Sequence, residues 1–223
     1  MMSLRSRSLT TRLSMLLATL VAASALSGCA VLFLGGAAVG GALVATDRRT
    51  SGAQLEDQAI ELTAAGRLRD VVDPQRSKVG VVSYNRMVLL TGEVQSDAEK
   101  ANAEQAVAKL ENIRSIVNEI GVVGSATFSR SPSGDALVTS KVKATLIDAR
   151  DLQANAFKVT TERGTVYLMG IVTEREADRA SDLSRSISGV QKVVRVFEVV
   201  TEDELARLRP AEPPKPATSS NKP

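Results

Sequence analysis

The sequence predicts an α+β protein built from two tandem copies of one small domain, each folded α-β-β-α-β with a three-stranded mixed sheet and its helices on one face. Two observations lead to this prediction. Apolar positions recur at a nearly constant separation along the 223 residues. Within each copy, the apolar spacing changes from a helical period to strand alternation and back.

The repeat has an offset of 78 residues up to Gln95 and of 77 after it. Gly92 coincides with Gly170 under this shift, and Glu99 coincides with Glu176. A register held over so many positions with one insertion indicates a duplicated domain. The coinciding apolar pairs are Ile60/Val138, Ala64/Val142, Leu68/Leu146, Val81/Val159, Val88/Val166, Leu90/Leu168 and Val94/Val172.

Each copy begins with a helix. In the second copy, Asp135 is the expected N-cap of this helix, because a short polar side chain precedes the periodic apolar residues. The residues predicted to form its buried face are Val138, Val142, Leu146 and Ala149.

Two strands follow, over residues 157–161 and 165–172, and Gly164 lies in the hairpin turn between them, where a positive φ is expected. Thr173-x-x-Glu176 then forms a capping box that opens the second helix. A third strand over 193–200 follows this helical crossover. It is therefore expected to run parallel to the second strand.

The chain begins like a secretory leader, with three arginines, no acidic residue and an apolar run over 13–26. The leader ends in a lipobox, Leu26-Ser27-Gly28-Cys29, the pattern of bacterial lipoproteins. It predicts Cys29 as the lipidation site, with a diacylglycerol thioether and an acylated amino group. The alternative is a secreted protein with an incidental cysteine, which would leave a lone thiol in an oxidising compartment.

Ala30 follows Cys29, where Asp would favour the inner membrane, so resemblance to sorted lipoproteins favours the outer membrane. The polar stretch 46–52 is expected to mark the exit of the chain into water. The predicted organisation is a signal peptide at 1–28, a lipidated apolar Gly-rich linker at 29–53, domain 1 at 54–123, a linker at 124–133, domain 2 at 134–201 and a disordered Pro-rich tail at 202–223.

Composition excludes several classes of function. Removing the three arginines of the leader from 28 Lys+Arg leaves 25, equal to the 25 Asp+Glu, so the mature chain gives no electrostatic case for nucleic acid. The chain has no His and one Cys, which removes Cys/His metal sites and His-dependent catalysis. Glu174 and Glu176 lie in a mixed-charge helix and are interpreted as solvated surface. No enzyme, metal or cofactor is expected.

Two stretches, 159–170 and 172–177, resemble the second BON domain of the dual-BON-domain outer-membrane lipoproteins of the DolP/YraP type. Residues 45–50 resemble the entry to their first domain, in which Tyr84-Asn85-Arg86 here replaces the Gly turn. The resemblance implies a non-enzymatic periplasmic module on the outer membrane. Such a module would bind anionic phospholipid through its second domain and support outer-membrane integrity, with outer-membrane assembly or division-site proteins as further partners.

The resemblance places the lipid-binding surface on the first helix of domain 2, and the predicted lipid-binding residues are Leu137, Val138, Lys141 and Lys143. Leu137 stands where the most similar family members have Trp. From the residues alone, apolar Leu137 beside two lysines also fits an ordinary amphipathic helix whose lysines face water. Two other functions stay open: a protein-binding adaptor that uses its sheet faces, and a hydrolase that would depend on carboxylates alone.

Overall fold

The computed structural model describes residues 47–124 and 132–208, and Cys29 lies outside the described residues. The five described helices are α1 (Ser51–Val71), α2 (Asp97–Ala108), α3 (Pro132–Asp148), α4 (Glu174–Arg185) and α5 (Glu202–Leu208). The described strands are β1 (Lys78–Tyr84), β2 (Met87–Val94), β3 (Ser115–Asn118), β4 (Gly121–Val122), β5 (Phe157–Glu162), β6 (Thr165–Val172) and β7 (Lys192–Val199).

The α+β class, the α-β-β-α-β order and the mixed sheets are confirmed. In each domain the first two strands form an antiparallel hairpin, β1 with β2 and β5 with β6. The strand after the helical crossover then pairs parallel to the second strand, β7 with β6 and β3 with β2. In the first domain this last strand is interrupted, and β4 continues its pairing with β2.

The helices of each domain cover one face of its sheet. Domain 1 buries Ile60, Ala64 and Leu68 of α1 against Val88 and Leu90 of β2. The second domain repeats this core at the equivalent positions: Val138, Val142, Leu146, Val166 and Leu168. The predicted repeat is therefore a repeat of buried positions, because the residues between helices and sheet are apolar in both copies.

Asp135 does not cap α3, because the helix begins three residues earlier, at Pro132. Its carboxylate instead accepts hydrogen bonds from the backbone N–H groups of Arg163 (2.8 Å) and Gly164 (2.9 Å) in the β5–β6 turn. The N-cap prediction was wrong because a short acidic residue can serve a distant turn as well as its own helix end.

Asp57 performs the same task in domain 1, accepting from the N–H groups of Asn85 and Arg86 at 2.8 Å each. These bonds explain how the first domain keeps its hairpin without glycine. Two central residues with positive φ form the turn that matches strand twist. The four φ values are 49° for Asn85, 65° for Arg86, 51° for Arg163 and 73° for Gly164.

The helix-free faces of the two sheets pack against each other. Tyr84 lies at their contact, 1% exposed, and its hydroxyl donates to the Ala156 carbonyl at 3.2 Å. The layers therefore run helix, sheet, sheet, helix, which leaves α1 and α3 on opposite outer layers. The six buried members of this interdomain core are Tyr84, Leu89, Tyr167, Met169, Ile171 and Val196.

Ion pairs join the two domains, and the basic side chain of each pair is at least one-third exposed. Pairs that are open to solvent in this way contribute at most about 1 kcal/mol each, so they set the alignment of the domains more than their adhesion. The pairs are Lys158–Glu61 at 2.6 Å, Arg114–Glu198 at 2.8 Å, Lys78–Glu162 at 3.4 Å, Lys192–Glu119 at 3.8 Å and Arg163–Glu93.

The segment before α1 is part of the folded body, which corrects the prediction that 46–52 marks an exit into water. Arg48 is 8% exposed. Its guanidinium donates to both carboxylate oxygens of Glu176 at 2.7 and 2.8 Å, and to the Ile171 carbonyl at 2.7 Å. Glu176 is therefore buried, and its interpretation as solvated surface was wrong.

Arg49 binds the other domain. Its guanidinium pairs with Asp57 at 2.8 Å and with Asp47 at 2.7 Å, and lies over the Tyr84 ring at 4.2 Å. Burial raises the pKa of Tyr84 to about 12, so its hydroxyl stays protonated and keeps its hydrogen bond. The two adjacent arginines therefore bind different domains: Arg48 binds domain 2 and Arg49 binds domain 1.

The predicted disordered tail starts too early, because α5 occupies Glu202–Leu208. Thr201 caps this helix, accepting from the Glu204 N–H at 3.2 Å and donating to its carboxylate at 2.9 Å. Leu205 is 2% exposed. The buried leucine and the capping box explain why this short helix is ordered, although composition alone assigned it to the tail. The residues beyond 208 lie outside the described part.

Gly170→Ala and Gly92→Ala are each expected to destabilise the protein. A Cβ on Gly170 would lie 2.5 Å from the Ala156 carbonyl oxygen, and one on Gly92 would lie 2.0 Å from the Lys78 oxygen at a φ of 110°. Such overpacking costs about 1–3 kcal/mol, measurable by urea unfolding. Gly66→Ala is the control, because a Cβ at that position meets open space. The free energy of unfolding of this variant should rise by up to about 1 kcal/mol. Equal stability of all three variants would contradict the packing described.

Glu176→Gln is expected to lower the free energy of unfolding by about 3 kcal/mol at pH 7, because it leaves Arg48 buried without its partner charge. Burial raises the pKa of Glu176, but bonds from Arg48 and the Thr173 N–H outweigh it and hold the pKa below 4.5. A lowered pKa stabilises the fold above pH 4.5, and this stability is lost as pH falls through the folded-state value.

Urea titrations from pH 7 to pH 3 test this account. The fall in stability below pH 4.5 should be shallower in Glu176→Gln than in the parent, with a residual slope from Asp57, whose pKa is also lowered. The matched control is Glu174→Gln on the same helical turn, which is exposed and should change stability by less than about 0.5 kcal/mol. Identical acid profiles for Glu176→Gln and the parent would refute the buried pair.

Candidate lipid-contact surface

Helix α3 turns one face toward the core of domain 2 and the opposite face toward solvent. Val138 belongs to the buried face, at 7% exposure, and contacts the interior with Val142 and Leu146. Its predicted role in lipid contact is therefore corrected. Val138 holds the helix on its sheet, and a Cβ on Gly189 would meet its side chain at 2.8 Å.

An apolar crest runs along the outer face of α3. Leu137 is 56% exposed and Ile147 is 69% exposed, with exposed Ser140 and Ala144 between them. At about 100° per residue, these four positions fall within one third of the helix circumference. The sequence prediction missed Ile147, although its spacing of seven residues from Ser140 places it on this face.

Lys141 and Lys143 flank the crest on its two sides. On the helical projection Lys141 lies about 40° from Leu137 in one direction and Lys143 about 120° from it in the other. Both lysines are exposed. No acidic residue occurs from Ala136 to Ile147, so this surface is apolar along its crest and positively charged at its borders up to the last turn, where exposed Asp148 ends the helix.

The helix that carries this surface is fixed at its first turns. Asp135 binds the β5–β6 turn, and the Thr139 hydroxyl donates to the Thr161 hydroxyl at 2.7 Å. Ser140 donates back to the Ala136 carbonyl at 2.9 Å, which removes a polar group from the crest. The crest is thus presented by a rigid element, with its side chains in a defined order.

The equivalent helix of domain 1 has a different outer face. Leu55 and Leu62 are 69% and 77% exposed, but the helix also carries Glu56 and Glu61. Glu61 accepts from Lys158 across the domain boundary. Because the two sheets pack face to face, this helix lies on the outer layer opposite α3 and cannot share a flat surface with it.

The adaptor hypothesis relied on free sheet faces, and that part of it was wrong. The helix-free face of each sheet is covered by the other sheet. Among residues 47–124 and 132–208, no helix has both the length and the apolarity to cross a bilayer. No group of His, Cys, Asp and Glu suited to a metal ion occurs in that same part of the chain.

The BON domain family matches residues 56–124 and 134–201. The chain is 36% identical over 174 residues to "Outer membrane lipoprotein DolP" of Haemophilus influenzae, covering 78% of this chain and 89% of that protein. It is 32% identical to "21 kDa hemolysin" of Actinobacillus pleuropneumoniae, covering 69% and 79% of the two chains. It is also 27% identical to "Osmotically-inducible protein Y" of Escherichia coli, covering 62% and 70%.

The duplicated fold and these matches agree over the same part of the chain. Both family matches fall on the two α-β-β-α-β units, and the relatives are matched over at least 70% of their length. The predicted resemblance is confirmed. The chain belongs to the BON-domain family, as a protein with two BON domains of the DolP type.

Proposed function

We propose that the protein is a non-enzymatic outer-membrane lipoprotein, acylated at Cys29 and facing the periplasm, whose second BON domain docks on anionic phospholipid and supports outer-membrane integrity. The lipobox and the relation to a protein named as an outer membrane lipoprotein support the anchor. The outer face of α3 supports the docking.

The observation that carries the docking is the apolar crest of α3 between two exposed lysines. Leu137 and Ile147 can bury apolar surface among acyl chains while Lys141 and Lys143 remain at headgroup level. Each lysine close to an anionic membrane contributes about 1 kcal/mol, and salt weakens this term. Docking through α3 is therefore weak and sensitive to ionic strength.

The lipid anchor makes such weak docking sufficient. Each buried CH₂ of an acyl chain contributes about 0.8 kcal/mol, and two or more chains give stable attachment. The anchored body then meets the bilayer at an effective concentration in the millimolar range, so a millimolar affinity gives substantial occupancy. The anchor keeps the protein on the membrane. Helix α3 sets the orientation of the folded body and its preference for anionic headgroups.

Cys29→Ser is expected to release the protein from the membrane fraction, because the thioether that carries the diacylglycerol cannot form. Fractionation of cells and mass spectrometry of the native N-terminus measure this outcome. The parent should show an acylated Cys29 and stay with membranes in high salt. An unacylated parent, or a Cys29→Ser form that remains fully membrane-bound, would refute the anchor.

Lys141→Glu and Lys143→Glu are each expected to weaken binding to phosphatidylglycerol vesicles roughly 30-fold, because each replaces an attraction by a repulsion, a change of about 2 kcal/mol. Vesicle flotation of a soluble fragment, residues 47–208, measures docking without the anchor. The fragment begins at residue 47 because Arg48 and Arg49 belong to the folded body. The parent fragment should bind phosphatidylglycerol, lose binding in high salt, and bind phosphatidylcholine little.

Matched controls separate this surface from general charge effects. Lys109→Glu makes the same charge change on an exposed lysine of domain 1 and should leave binding unchanged. Ile147→Asp should weaken binding, whereas Leu62→Asp, at a similarly exposed position on the opposite layer, should not. An equal loss of vesicle binding in Lys109→Glu would show that the net charge of the fragment, and not the α3 surface, determines the affinity. Failure of the parent to bind any vesicle, with recovery of an outer-membrane assembly protein instead, would favour the adaptor function.

A further inference from the structure

We infer that α1 is a self-association surface, through which two copies of this chain pair as antiparallel helices. The surface, called here the α1 seam, is a single stripe along the helix. Its members are Gly52, Leu55, Ala59, Leu62, Gly66 and Arg69. This inference does not depend on lipid docking through α3, because α3 lies on the other outer layer.

The α1 seam points straight away from the core. Ile60, Ala64 and Leu68 define the buried face of the helix, and at about 100° per residue the seam lies on the opposite side. All six seam residues are exposed, and Leu62 at 77% is the most exposed of the large apolar side chains in the described part. A second helix can therefore approach the seam without meeting α2.

Residue sizes along the seam are complementary to a second copy running in the opposite direction. Small residues recur every seven positions at Gly52, Ala59 and Gly66, and large ones recur every seven at Leu55 and Leu62. The resulting four-three spacing is that of a helix-packing seam. In an antiparallel pair centred between residues 60 and 61, each leucine falls opposite a small residue: Leu55 meets Gly66, and Leu62 meets Ala59.

The glycines of the seam have no explanation within one chain. A Cβ on Gly66 would have nothing within 4 Å, and one on Gly52 would meet only the Thr50 hydroxyl at 3.9 Å. Neither residue is among those with positive φ. Glycine in a helix interior is destabilising relative to alanine. A leucine of a second copy seated on Gly66 gives this residue a role, because the helices can then approach closely.

The duplicated helix shows that the pattern is not required by the fold. The equivalents of Ala59, Leu62 and Gly66 in α3 are Leu137, Ser140 and Ala144, and the alternation of small and large is lost. The two helices have similar apolar residues on their buried faces, but their outer faces have different residue types at equivalent positions. The outer face of α1 is therefore specified by something outside its own domain.

Mixed-chain disulfide formation tests this pairing on the purified full-length chain at increasing concentration. Leu55→Cys and Gly66→Cys chains are oxidised separately and as an equal mixture, and unmodified chains, which contain Cys29, give the background. The mixture should form a covalent dimer, because residues 55 and 66 of two copies lie opposite each other. Each variant alone should not, because two identical positions are about 16 Å apart along the pair, beyond the ~7 Å limit of a disulfide.

A disruption series completes the experiment. Ala59→Leu, added to both chains, overfills the seam and should reduce the mixed dimer at least fivefold. Ala101→Leu, on the exposed face of α2, is the matched control and should not reduce it. A mixture no better than background would overturn the inference and leave a lipid or an unrelated protein as the occupant. Strong dimers from Leu55→Cys alone, or a yield unaffected by Ala59→Leu, would overturn it equally.

Discussion

Each of the two sheets of this protein has two apolar faces, and its own helices cover only one of them. Leu89 and Tyr167 lie on the uncovered faces and reach 0% and 5% exposure because the two sheets close on each other. Each domain therefore relies on the other to bury the second face of its sheet. This mutual burial also places the first helix of each domain on an outer layer, so surfaces for partners can only be built on helices, loops and sheet edges.

The residues just before α1 reinforce that closure. Arg48 reaches Glu176, which lies 128 residues later, while Arg49 binds Asp57 of the first domain. A buried pair of this type gains little over apolar packing, but its loss leaves a charge without compensation. Neighbouring arginines directed to different domains therefore specify one arrangement of the two sheets. Since the predicted anchor precedes them, any pull on the chain from that side reaches both domains together.

Features that depend on the spacing of apolar residues could be predicted from the sequence. Contacts between residues far apart along the chain could not. The repeat, the strand order and the parallel third strand follow from apolar spacing and one crossover rule. The burial of Glu176 does not, because its partner Arg48 is unrelated to it by any local pattern. Helical spacing correctly placed Val138 on the buried face, but the resemblance indicated a stretch of the helix and not one of its faces, so Val138 was also counted as lipid-binding. Helical geometry instead brings Ile147 to the surface of Leu137 and sends Val138 inward.

Duplication followed by divergence of the outer faces explains how one fold provides two kinds of surface. The buried face of the first helix is constrained by its sheet and differs only by small apolar exchanges, Ile60 for Val138 and Ala64 for Val142. The outer face carries no such constraint, so α3 has lysines beside an apolar crest while α1 has alternating small and large residues. Leu137 lacks the hydrogen bond that an aromatic side chain makes at headgroup level. Under the proposed lipid docking, Ile147 would add apolar area at the far end of the crest, and a body anchored through Cys29 would need only weak docking to stay oriented.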